Sequence, residues 1–593
     1  MTDLTKAARK DSPFWGAHSE YAKLQTWLFE ASLPLWNTVG RDDVFGGFFE
    51  KIDADRQPVE APRRTRVVAR QIYCFAAAAR MGWTGAAREA VTHGLEFLTR
   101  NCFNADGTVL MTVDVRSGER NVAFDLYDHA FALFGLASVA SIFPDQHGKM
   151  HDYAKRCVEA MKQGWAHPFL GFQEANPPTA PLRSNPHMHL FEAFLAWAEV
   201  TDGDAKAYWM TLADEMGELC LSKFISTETG AVREYFELDW SVKQDEKAAP
   251  VEPGHQFEWG WLLGRWGRLA LRKEAIVAAK RLVEIGERAG IASETRLAIN
   301  GLNHDLTVSD GAYRLWPQTE RVKAWIMMAE LAVGRSDREY ALDKVAEAAR
   351  GLSVFLSEVP LGLWRDRLTR TMETVREPAP ASSLYHITCA IEEMHRYLYR
   401  SAEPRPALFL DRDGVIIKDS GYVGDFRGVA LIDGIADVVK TFRARGGYVF
   451  VVTNQSGIGR GFYDEDDYAL VRARIACLLG ELGAIVDDER ASPYFAKAED
   501  GRYLRDASWR KPEAGMLNDL VDEWSLDLAT CLLVGDKTSD IEAASEAGIK
   551  GYTNDAAKQA AAVGGIFNAV ITASAAAGPG ATVASAGMGY LTN

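Results

Sequence analysis

The 593-residue sequence predicts a multidomain chain, with an all-α part of six helical hairpins followed by an α/β part with a parallel sheet. Three observations predict this division. In the first 400 residues, apolar side chains recur at helical spacing in about twelve segments, and strand-like runs are few. Polar side chains interrupt those segments at near-constant intervals. After residue 406, short β-rich runs alternate with helical stretches, which is typical of βαβ units.

The helical segments are predicted to start near residues 18, 62, 86, 123, 149, 184, 204, 254, 273, 315, 338 and 380. Pro62 and the pair Ser382 and Ser383 are typical of helix starts. Taken in antiparallel pairs, these segments make six hairpins. If the inner helix of each hairpin joins a ring, the starts of the inner helices meet at one mouth.

The boundary between the two parts is predicted at the segment 401–407, where Pro404 and Pro406 indicate a linker. We therefore expect a helical domain over 1–400 and an α/β domain over 406–572. The last stretch, 573–593, is rich in alanine and glycine and is expected to be a flexible tail.

The composition limits the classes of partner. The chain has 66 basic and 82 acidic residues, a net charge of −16, so we expect no nucleic-acid partner. Its seven cysteines are scattered without a CxxC pair, which indicates buried, reduced thiols and a cytoplasmic protein. We expect no membrane partner, because the start has no signal-peptide pattern and no uncharged apolar run reaches about 18 residues. A homodimer is compatible with the sequence.

The regularly spaced polar residues predict a site in the first domain. A single histidine on a helix is usually structural, but four histidines in near-register with an arginine and a glutamate indicate a shared pocket. Helix starts also favour negative charge, which would stabilise an anionic intermediate at the mouth. The residues are Arg70, His129, His189, His255, Glu320 and His386, which are 59, 60, 66, 65 and 66 residues apart.

These residues stand in the strings RQIYCFA, LYDHAF, NPHMHLFEA, PGHQFEWGWLL, RLWPQTE and LYHI. As an ordered set, the strings resemble the N-acylglucosamine 2-epimerase family over residues 15–398. That family includes aldose–ketose isomerases and cellobiose epimerases. The resemblance implies an (α/α)6 barrel with its site in the central funnel, in agreement with the six hairpins.

The same resemblance implies a reaction without metal or nucleotide cofactor, in which a base removes a proton beside a sugar carbonyl and an acid returns one. His386 and His255 are then the acid/base pair. Glu258, one helical turn after His255, would hold or polarise it, and Arg70 would stabilise the enediolate intermediate. The other residues expected to line the pocket are Tyr127, His129, His189, Glu192, Trp316 and Gln318.

One departure from the family pattern bears on the substrate. Family members that act on free sugars carry tryptophan four residues before the arginine, where this chain has Arg66. Arg63, Arg66 and Arg70 are predicted to share one helix face. Three cations beside the pocket indicate a phosphorylated substrate, since guanidinium groups match phosphate oxygens. The alternative is a salt-bridged helix start.

The second domain carries four polar clusters at the predicted ends of its strands, where open α/β sheets bind ligands. Asp411 and Asp413 follow ALFL, and two carboxylates at this spacing can share a magnesium ion and attack phosphorus. The other three clusters are Thr453 with Asn454, Arg510 with Lys511, and Asp536 with Lys537 and Asp540.

In this order, the clusters resemble the haloacid dehalogenase (HAD) superfamily over residues 406–570, and within it the heptose bisphosphate and histidinol phosphate phosphatases. The resemblance implies a Rossmann-like domain in which Asp411 is phosphorylated and Asp413 is the acid/base. Mg²⁺ would be held by Asp411, Asp413 and Asp536. Thr453 and Lys511 would hold the phosphoryl group, and Asn454, Arg510, Lys537 and Asp540 match flanking positions.

Many phosphatases of that group also carry a zinc loop of three cysteines and a histidine. The matching places here are Ser492, Tyr494, Ala507 and Trp509, which cannot form a thiolate and imidazole site. We therefore expect no zinc, and the changed loop leaves the substrate of the phosphatase open.

The fusion predicts a bifunctional carbohydrate enzyme that isomerises or epimerises a hexose 6-phosphate, such as fructose 6-phosphate to mannose 6-phosphate, and also removes phosphate from a sugar. Free mannose would be one net product. An alternative is a free-sugar epimerase joined to a D-glycero-D-manno-heptose 1,7-bisphosphate phosphatase that serves surface-glycan precursors. A third, of another class, is a carbohydrate-binding scaffold that has lost catalysis in one domain. The sequence leaves the sugar, and the choice between isomerisation and 2-epimerisation, open.

Overall fold

The computed structural model describes residues 12–243, 250–504 and 506–554. The predicted tail at 573–593 and the expected end of the second domain, after residue 554, lie outside these ranges.

The first domain is a ring of six helical hairpins, which confirms the predicted barrel. The inner helices are α3 (Thr65–Arg80), α5 (Leu126–Ile142), α7 (Ser184–Val200), α9 (Pro253–Leu269), α11 (Leu315–Leu331) and α13 (Ala381–Leu398). The outer helices are α1 (Pro13–Trp27), α4 (Ala87–Phe97), α6 (His147–Trp165), α8 (Gly203–Leu219), α10 (Lys273–Gly290) and α12 (Arg335–Leu356), and the short α2 (Leu33–Thr38) follows α1. All twelve long helices start within five residues of the predicted positions. The ring closes where α13 packs against α3.

The apolar patterns explain which helices lie inside the ring. Outer helix α10 buries one stripe, Ala275, Ile276, Ala279, Leu282 and Val283, at the spacing of a single helix face. Inner helix α5 is buried on nearly all sides and is apolar all round, as expected for a helix in the centre of a domain.

A repeated polar contact fastens the loops to the inner helices. Four side chains each bond the carbonyl four residues earlier, which belongs to the residue just before their helix. Each also bonds a backbone N–H of the loop after the preceding outer helix. They are His129, His187, Gln256 and Gln318. For His129 these bonds are 2.8 Å to the carbonyl of Asp125 and 3.1 Å from the N–H of Val109.

The prediction that His129 and Gln318 line the pocket is therefore wrong. Both side chains are fully engaged with backbone groups and almost completely buried. Burial lowers the pKa of His129 to about 4, so the ring is neutral and structural. The residue two places earlier, Tyr127, turns to the other side of the helix and reaches Arg70 in the funnel.

Short strands connect the hairpins near the mouth. They are β1 (Lys51–Ile52), β2 (Pro58–Val59), β3 (Arg63–Arg64), β4 (Thr112–Val113), β5 (Arg120–Asn121), β6 (Leu182–Arg183), β7 (Tyr235–Phe236), β8 (Ile299–Leu302), β9 (Val308–Arg314), β10 (Arg367–Leu368) and β11 (Ala379–Pro380). Because Arg63 lies in β3, before the start of α3, the predicted arrangement of three arginines on one helix face is wrong.

The second domain contains the predicted parallel sheet, which has five strands in the order β14-β13-β12-β15-β16. Its strands are β12 (Ala407–Leu410), β13 (Tyr448–Asn454), β14 (Asp488–Ser492), β15 (Leu532–Gly535) and β16 (Lys550–Thr553). Its helices are α14 (Ile435–Ala444), α15 (Ser456–Gly459), α16 (Glu465–Glu481), α17 (Gly515–Trp524) and α18 (Thr538–Glu546). Alternate residues of β12 enter two apolar clusters, with Phe409 on one face and Leu408 and Leu410 on the other.

The two domains are joined by buried ion pairs. Arg338 of α12 donates to both carboxylate oxygens of Glu523 at 2.7 and 2.8 Å, and Arg490 of β14 donates to the same carboxylate at 2.7 Å. The guanidinium of Arg400, which follows α13, lies 3.9 Å from the ring centre of Trp524. These contacts lie at the ends of the inner helices farthest from the mouth.

The cysteines and helices bear on two further predictions. All seven cysteines are free thiols, and six are buried as predicted, but Cys477 is exposed on the outer surface of α16. Among the described residues, no helix combines the length and apolar character that crossing a bilayer requires.

Candidate active sites

The first site lies in the funnel, at the N-terminal ends of the inner helices. His255 stands near the start of α9 and His386 near the start of α13. The ring of Trp316, near the start of α11, lies between them, with centroid distances of 5.0 Å to His255 and 5.9 Å to His386. The structure therefore brings the two predicted acid/base histidines to one pocket.

His255 is held by carboxylates. Its Nδ1 lies 2.9 Å from Oε2 of Glu234, which precedes β7, and Glu252 is close to the same ring. Burial opposes the charged ring, but the two carboxylates outweigh it and raise the pKa of His255 to about 10. This imidazole is a cation at neutral pH and can donate a proton.

His386 is also paired with a glutamate, but a buried cation lies nearby. Its Nδ1 lies 2.9 Å from Oε1 of Glu320, and the other oxygen of Glu320 lies 2.5 Å from Nζ of Lys323. Burial, followed by the charges of Arg70 and Lys323, lowers the pKa of His386 well below its usual value. This imidazole is neutral at pH 7 and can accept a proton.

Glu258 has a different contact from the one predicted. Its Oε1 lies 4.0 Å from Nδ1 of His189 and 3.9 Å from Nζ of Lys323, while Glu234 holds His255. Burial and the charge of Glu320 raise the pKa of Glu258 well above its usual value. Glu258 therefore lies in the floor of the funnel, next to His386, in surroundings that favour its uncharged form.

Arg70 lies among aromatic rings, as the pocket role requires. Its Nη2 donates to the Tyr127 hydroxyl at 2.6 Å, and its guanidinium lies 4.0 Å from the Phe131 ring centre and 5.0 Å from that of Tyr385. Its Nε is buried without a hydrogen-bond partner among the described atoms. A donor in this condition is available to a substrate oxygen.

His189 and Glu192, both predicted to line the pocket, meet in the floor of the funnel. Oε2 of Glu192 lies 3.2 Å from Nδ1 of His189 and accepts the Tyr385 hydroxyl at 2.5 Å. Burial opposes ionisation of Glu192, but these bonds and Lys323 lower its pKa to about 2. The carboxylate is therefore charged and fixes the orientation of the two rings beside it.

The other two predicted cations are already paired. Arg63 is fully buried and donates to Oδ2 of Asp42 at 2.8 Å. Arg66 donates to Oδ2 of Asp128 at 2.8 Å and lies 3.3 Å from Asp125. The prediction that Arg63 binds substrate is wrong, because no part of its side chain is accessible. For Arg66, the alternative of a salt-bridged helix start fits the contacts better.

The second site lies at the carboxyl ends of β12 and β15. The carboxylates of Asp411, Asp536 and Asp540 lie within 4.8 Å of one another. Gly414, with a φ of +78°, allows the loop after β12 to approach, since a Cβ there would lie 2.6 Å from Oδ2 of Asp536. Burial and the two other carboxylates raise the pKa of Asp536 to about 6, against the opposing charge of Lys537.

Asp413 was predicted as a metal ligand, but its carboxylate lies outside this cluster. Nη2 of Arg412 holds it at 2.8 and 3.0 Å, and Nε2 of Gln455 donates to it at 2.9 Å. Gln455 also donates to the Thr453 hydroxyl at 2.7 Å. The third acidic member is Asp540 instead, which the sequence placed only among the flanking residues.

Lys511 is the buried cation of the second site. Its Nζ lies 3.0 Å from Asp411 and 2.5 Å from Asp540, and donates to the carbonyl of Val452 at 2.7 Å. Burial lowers the pKa of Lys511, but the two carboxylates outweigh this and raise it. The ammonium is therefore charged beside the predicted nucleophile.

The remaining predicted residues divide into supporting and rim positions. Asn454 bonds both backbone groups of Lys511, at 2.9 and 3.1 Å, so it positions that lysine, and its contact with substrate stays a prediction. Arg510 is partly exposed, and Lys537 is exposed at 3.7 Å from Asp536. At the places of the zinc ligands, Trp509 is buried and donates to the carbonyl of Ala491 at 3.0 Å.

Comparison with known proteins identifies both domains. The family model described as N-acylglucosamine 2-epimerase matches residues 47–390. The chain belongs to the N-acylglucosamine 2-epimerase family. Its epimerase-family domain is 43% identical over 383 residues to a Rhizobium meliloti protein named mannose-6-phosphate isomerase, a match that covers 65% of this chain and 98% of that protein. Its fold is similar to that of the cellobiose 2-epimerase of Spirochaeta thermophila, with a TM-score of 0.57, 20% identity and coverage of 64% and 97%.

The second domain is a HAD phosphatase domain. A HAD-hydrolase-like family model matches residues 508–554. The domain is 43% identical over 155 residues to the D-glycero-β-D-manno-heptose-1,7-bisphosphate 7-phosphatase of Rhodopseudomonas palustris, which covers 26% of this chain and 84% of that protein. Both predicted resemblances are confirmed. The chain is an enzyme that joins a sugar isomerase or epimerase domain to a phosphatase domain.

The phosphatase domain packs against the end of the epimerase-family barrel that is opposite the mouth of the funnel. His255 is at the start of the 17-residue helix α9, and a helix of this length extends about 25 Å. At its far end, Arg268 lies 2.9 Å from Glu330, whose carbonyl accepts a bond from Arg472 of the phosphatase domain. The funnel therefore opens away from the phosphatase domain.

Proposed function

We propose that the epimerase-family domain interconverts fructose 6-phosphate and mannose 6-phosphate without a cofactor. The observation that carries this proposal is the placement of His255 and His386 beside the Trp316 ring in one pocket, each with Nδ1 at 2.9 Å from a glutamate. Neutral His386 takes the carbon-bound proton beside the carbonyl, and protonated His255 gives a proton to the carbonyl oxygen. His386 then gives its proton to the neighbouring carbon while His255 takes the proton of the hydroxyl on the first carbon, which becomes the new carbonyl and restores both histidines.

As the carbon-bound proton leaves, negative charge develops on the carbonyl oxygen until His255 protonates it. Arg70, with its unpartnered Nε, stabilises that charge in a site screened from water. The pocket offers Trp316 as a wall against which the apolar face of the sugar stacks. The name of the Rhizobium meliloti relative supports a phosphorylated hexose rather than a free sugar as substrate.

We further propose that the second domain hydrolyses a sugar phosphate through an aspartyl phosphate on Asp411. Asp413 protonates the leaving oxygen and then takes the proton of the attacking water, while Lys511 and Thr453 hold the phosphoryl oxygens. The oxygen-only cluster of Asp411, Asp536 and Asp540 fits Mg²⁺, which would neutralise phosphoryl charge when bound. No zinc is part of this proposal.

A second candidate for this domain is a heptose 1,7-bisphosphate, as named for the Rhodopseudomonas palustris relative. The orientation of the barrel favours keeping this candidate, because the funnel opens away from the phosphatase domain and so does not release its product toward that domain. The proposed dephosphorylation of mannose 6-phosphate would proceed by diffusion through the cytoplasm. Both sites retain their charged groups, which counts against a purely carbohydrate-binding scaffold.

The test is nuclear magnetic resonance of a sugar-phosphate panel in deuterated water, with Mg²⁺ present and then chelated. The proposal predicts deuterium uptake at C1 or C2 of a hexose 6-phosphate in both conditions, and release of inorganic phosphate only with Mg²⁺. No uptake from any hexose phosphate, with uptake from a free hexose, would instead favour the free-sugar epimerase.

A further inference from the structure

Three of the inner helices begin directly after an arginine that ends a short strand. Arg64 precedes α3, Arg183 precedes α7, and Arg314 precedes α11, each as an N-cap residue with an extended backbone. These are the first, third and fifth inner helices. The three arginines are therefore equivalent positions spaced around the mouth of the funnel.

The first two arginines are held by the same contact. Glu50 accepts the backbone N–H of Arg64 at 2.8 Å and its Nε at 2.6 Å. Glu174 accepts the backbone N–H of Arg183 at 2.6 Å and its Nε at 2.5 Å. A single carboxylate thus neutralises each guanidinium and fixes it to the rim.

Arg314 lacks this contact. Among the described residues, its Nε is buried without a hydrogen-bond partner, and the one carboxylate paired with it, Asp366, lies at 4.0 Å. Asp366 is already engaged, since it accepts the Ser383 hydroxyl at 2.5 Å. The Arg314 side chain is 43% exposed, so its positive charge faces solvent at the mouth.

Arg314 also lies close to the residues around His255. It stands two residues before Trp316, whose ring is 5.0 Å from that of His255. Its charge acts on Glu252, the residue that directly precedes α9 and lies next to His255. An anion bound by Arg314 would therefore lie at the rim, with the rest of the molecule extending down the funnel to the two histidines.

We propose that Arg314 is the binding residue for the phosphate group of the sugar-phosphate substrate. This inference rests on the proposed isomerisation of a hexose 6-phosphate. A guanidinium fork donates two parallel bonds to phosphate oxygens, and the exposed Arg314 side chain, whose paired carboxylate lies at 4.0 Å, leaves its charge for such a contact. Arg63 and Arg66, the cations that the sequence indicated for this task, are already neutralised by Asp42 and Asp128.

The test compares Arg314→Gln with Arg183→Gln, its counterpart at an equivalent position. Isomerisation is measured with hexose 6-phosphate and with the corresponding free hexose, with Mg²⁺ chelated to silence the phosphatase domain. In Arg314→Gln the KM for the phosphosugar should rise roughly 10- to 100-fold, because a charged hydrogen-bond partner of the phosphate is lost. The ratio of kcat/KM for the two substrates should fall by the same factor, and inorganic phosphate should inhibit less. In Arg183→Gln, the ratio of kcat/KM for the two substrates should equal that of the unaltered enzyme.

The outcomes separate the two proposals. If Arg314→Gln keeps the unaltered ratio of kcat/KM and the same inhibition by inorganic phosphate, Arg314 does not bind phosphate, although the isomerase proposal stands. If the unaltered enzyme prefers the free hexose, the proposed substrate falls and this inference falls with it. Arg314→Lys, which keeps the charge but not the fork, should lie between the two and guards against a folding defect.

Discussion

His255 and His386 each place Nδ1 2.9 Å from a glutamate oxygen, yet their pKa values move in opposite directions. Glu320 shares its charge with Lys323, and Arg70 adds a second cation near His386. Glu234 and Glu252 act together on His255. The two histidines therefore differ in pKa because different charged groups surround them: cations near His386 and a pair of carboxylates near His255.

Replacing Glu234 by glutamine tests the origin of the acid. The folded pKa of His255, about 10, lies above its unfolded value, so the stability this pairing contributes is complete below pH 6.5 and is lost as the pH rises through about 10. In Glu234→Gln the pKa of His255 should fall. The alkaline limb of the kcat/KM profile should then move to lower pH. Glu237→Gln, on the same hairpin, should leave the limb in place, and an unmoved limb in Glu234→Gln would contradict the assignment.

Lys323 should be essential for the stability of the first domain. It is fully buried beside Glu320 and Glu258, and removing one partner of a buried pair costs about 3 to 5 kcal/mol. We expect Lys323→Met to lower the free energy of unfolding by that amount in urea titrations. Lys23→Met removes an ion pair whose lysine is 63% exposed, and should cost less than about 1 kcal/mol. Equal effects of the two changes would show that the buried cation is not needed.

Magnesium should stabilise the second domain in a pH-dependent way. Asp536 has a pKa of about 6, so protons compete with the metal below that pH and the affinity should fall as the pH drops through 6. The measurement is the thermal shift produced by Mg²⁺ at pH 7.5 and pH 5. Asp536→Asn should abolish the shift, while Asp419→Asn, at a neighbouring exposed carboxylate, should retain it. A shift that persists in Asp536→Asn would place the metal elsewhere.

The domains should unfold together because of the buried pairs at their interface. Glu523→Gln leaves Arg338 and Arg490 without their shared carboxylate, and should cost about 3 to 5 kcal/mol. Calorimetry should show one transition for the unaltered enzyme and two for this variant. Arg100→Met, which removes the exposed pair with Glu96 inside the first domain, should keep one transition. Two transitions in the unaltered enzyme would show that the domains are uncoupled.

The regular spacing of apolar residues in the helical segments predicted the fold well. The loops have no such spacing, so the sequence could not predict every residue of the site. Helix starts follow from apolar spacing, so all twelve were placed within five residues. His129 was assigned to the funnel because a spacing of about 60 residues does not distinguish it from Tyr127, although two residues turn a helix by roughly 200°. Glu234 lies in a loop without period, so no pattern connected it to His255.

The lack of a sequence pattern for distant contacts also explains why Arg63 and Arg66 were predicted to bind substrate. Whether an arginine is free depends on a partner distant in sequence, such as Asp42 for Arg63 or Asp128 for Arg66. The motifs of the second domain located Asp411, Asp536 and Lys511 well, because strand ends in a parallel sheet meet at one edge. The contact of Gln455 with Asp413 appears only once the loop after β13 is folded.

The proposal that His386 moves the carbon-bound proton of the sugar is tested most directly by one measurement. This is deuterium uptake at C2 of mannose 6-phosphate by the His386→Ala variant, with Mg²⁺ chelated. Removing the base should slow uptake at least about 100-fold relative to the unaltered enzyme. Phosphate release, measured separately with Mg²⁺, should stay unchanged, and Asp411→Asn should show the reverse. Uptake at the unaltered rate in His386→Ala would contradict the claim that this histidine moves the carbon-bound proton.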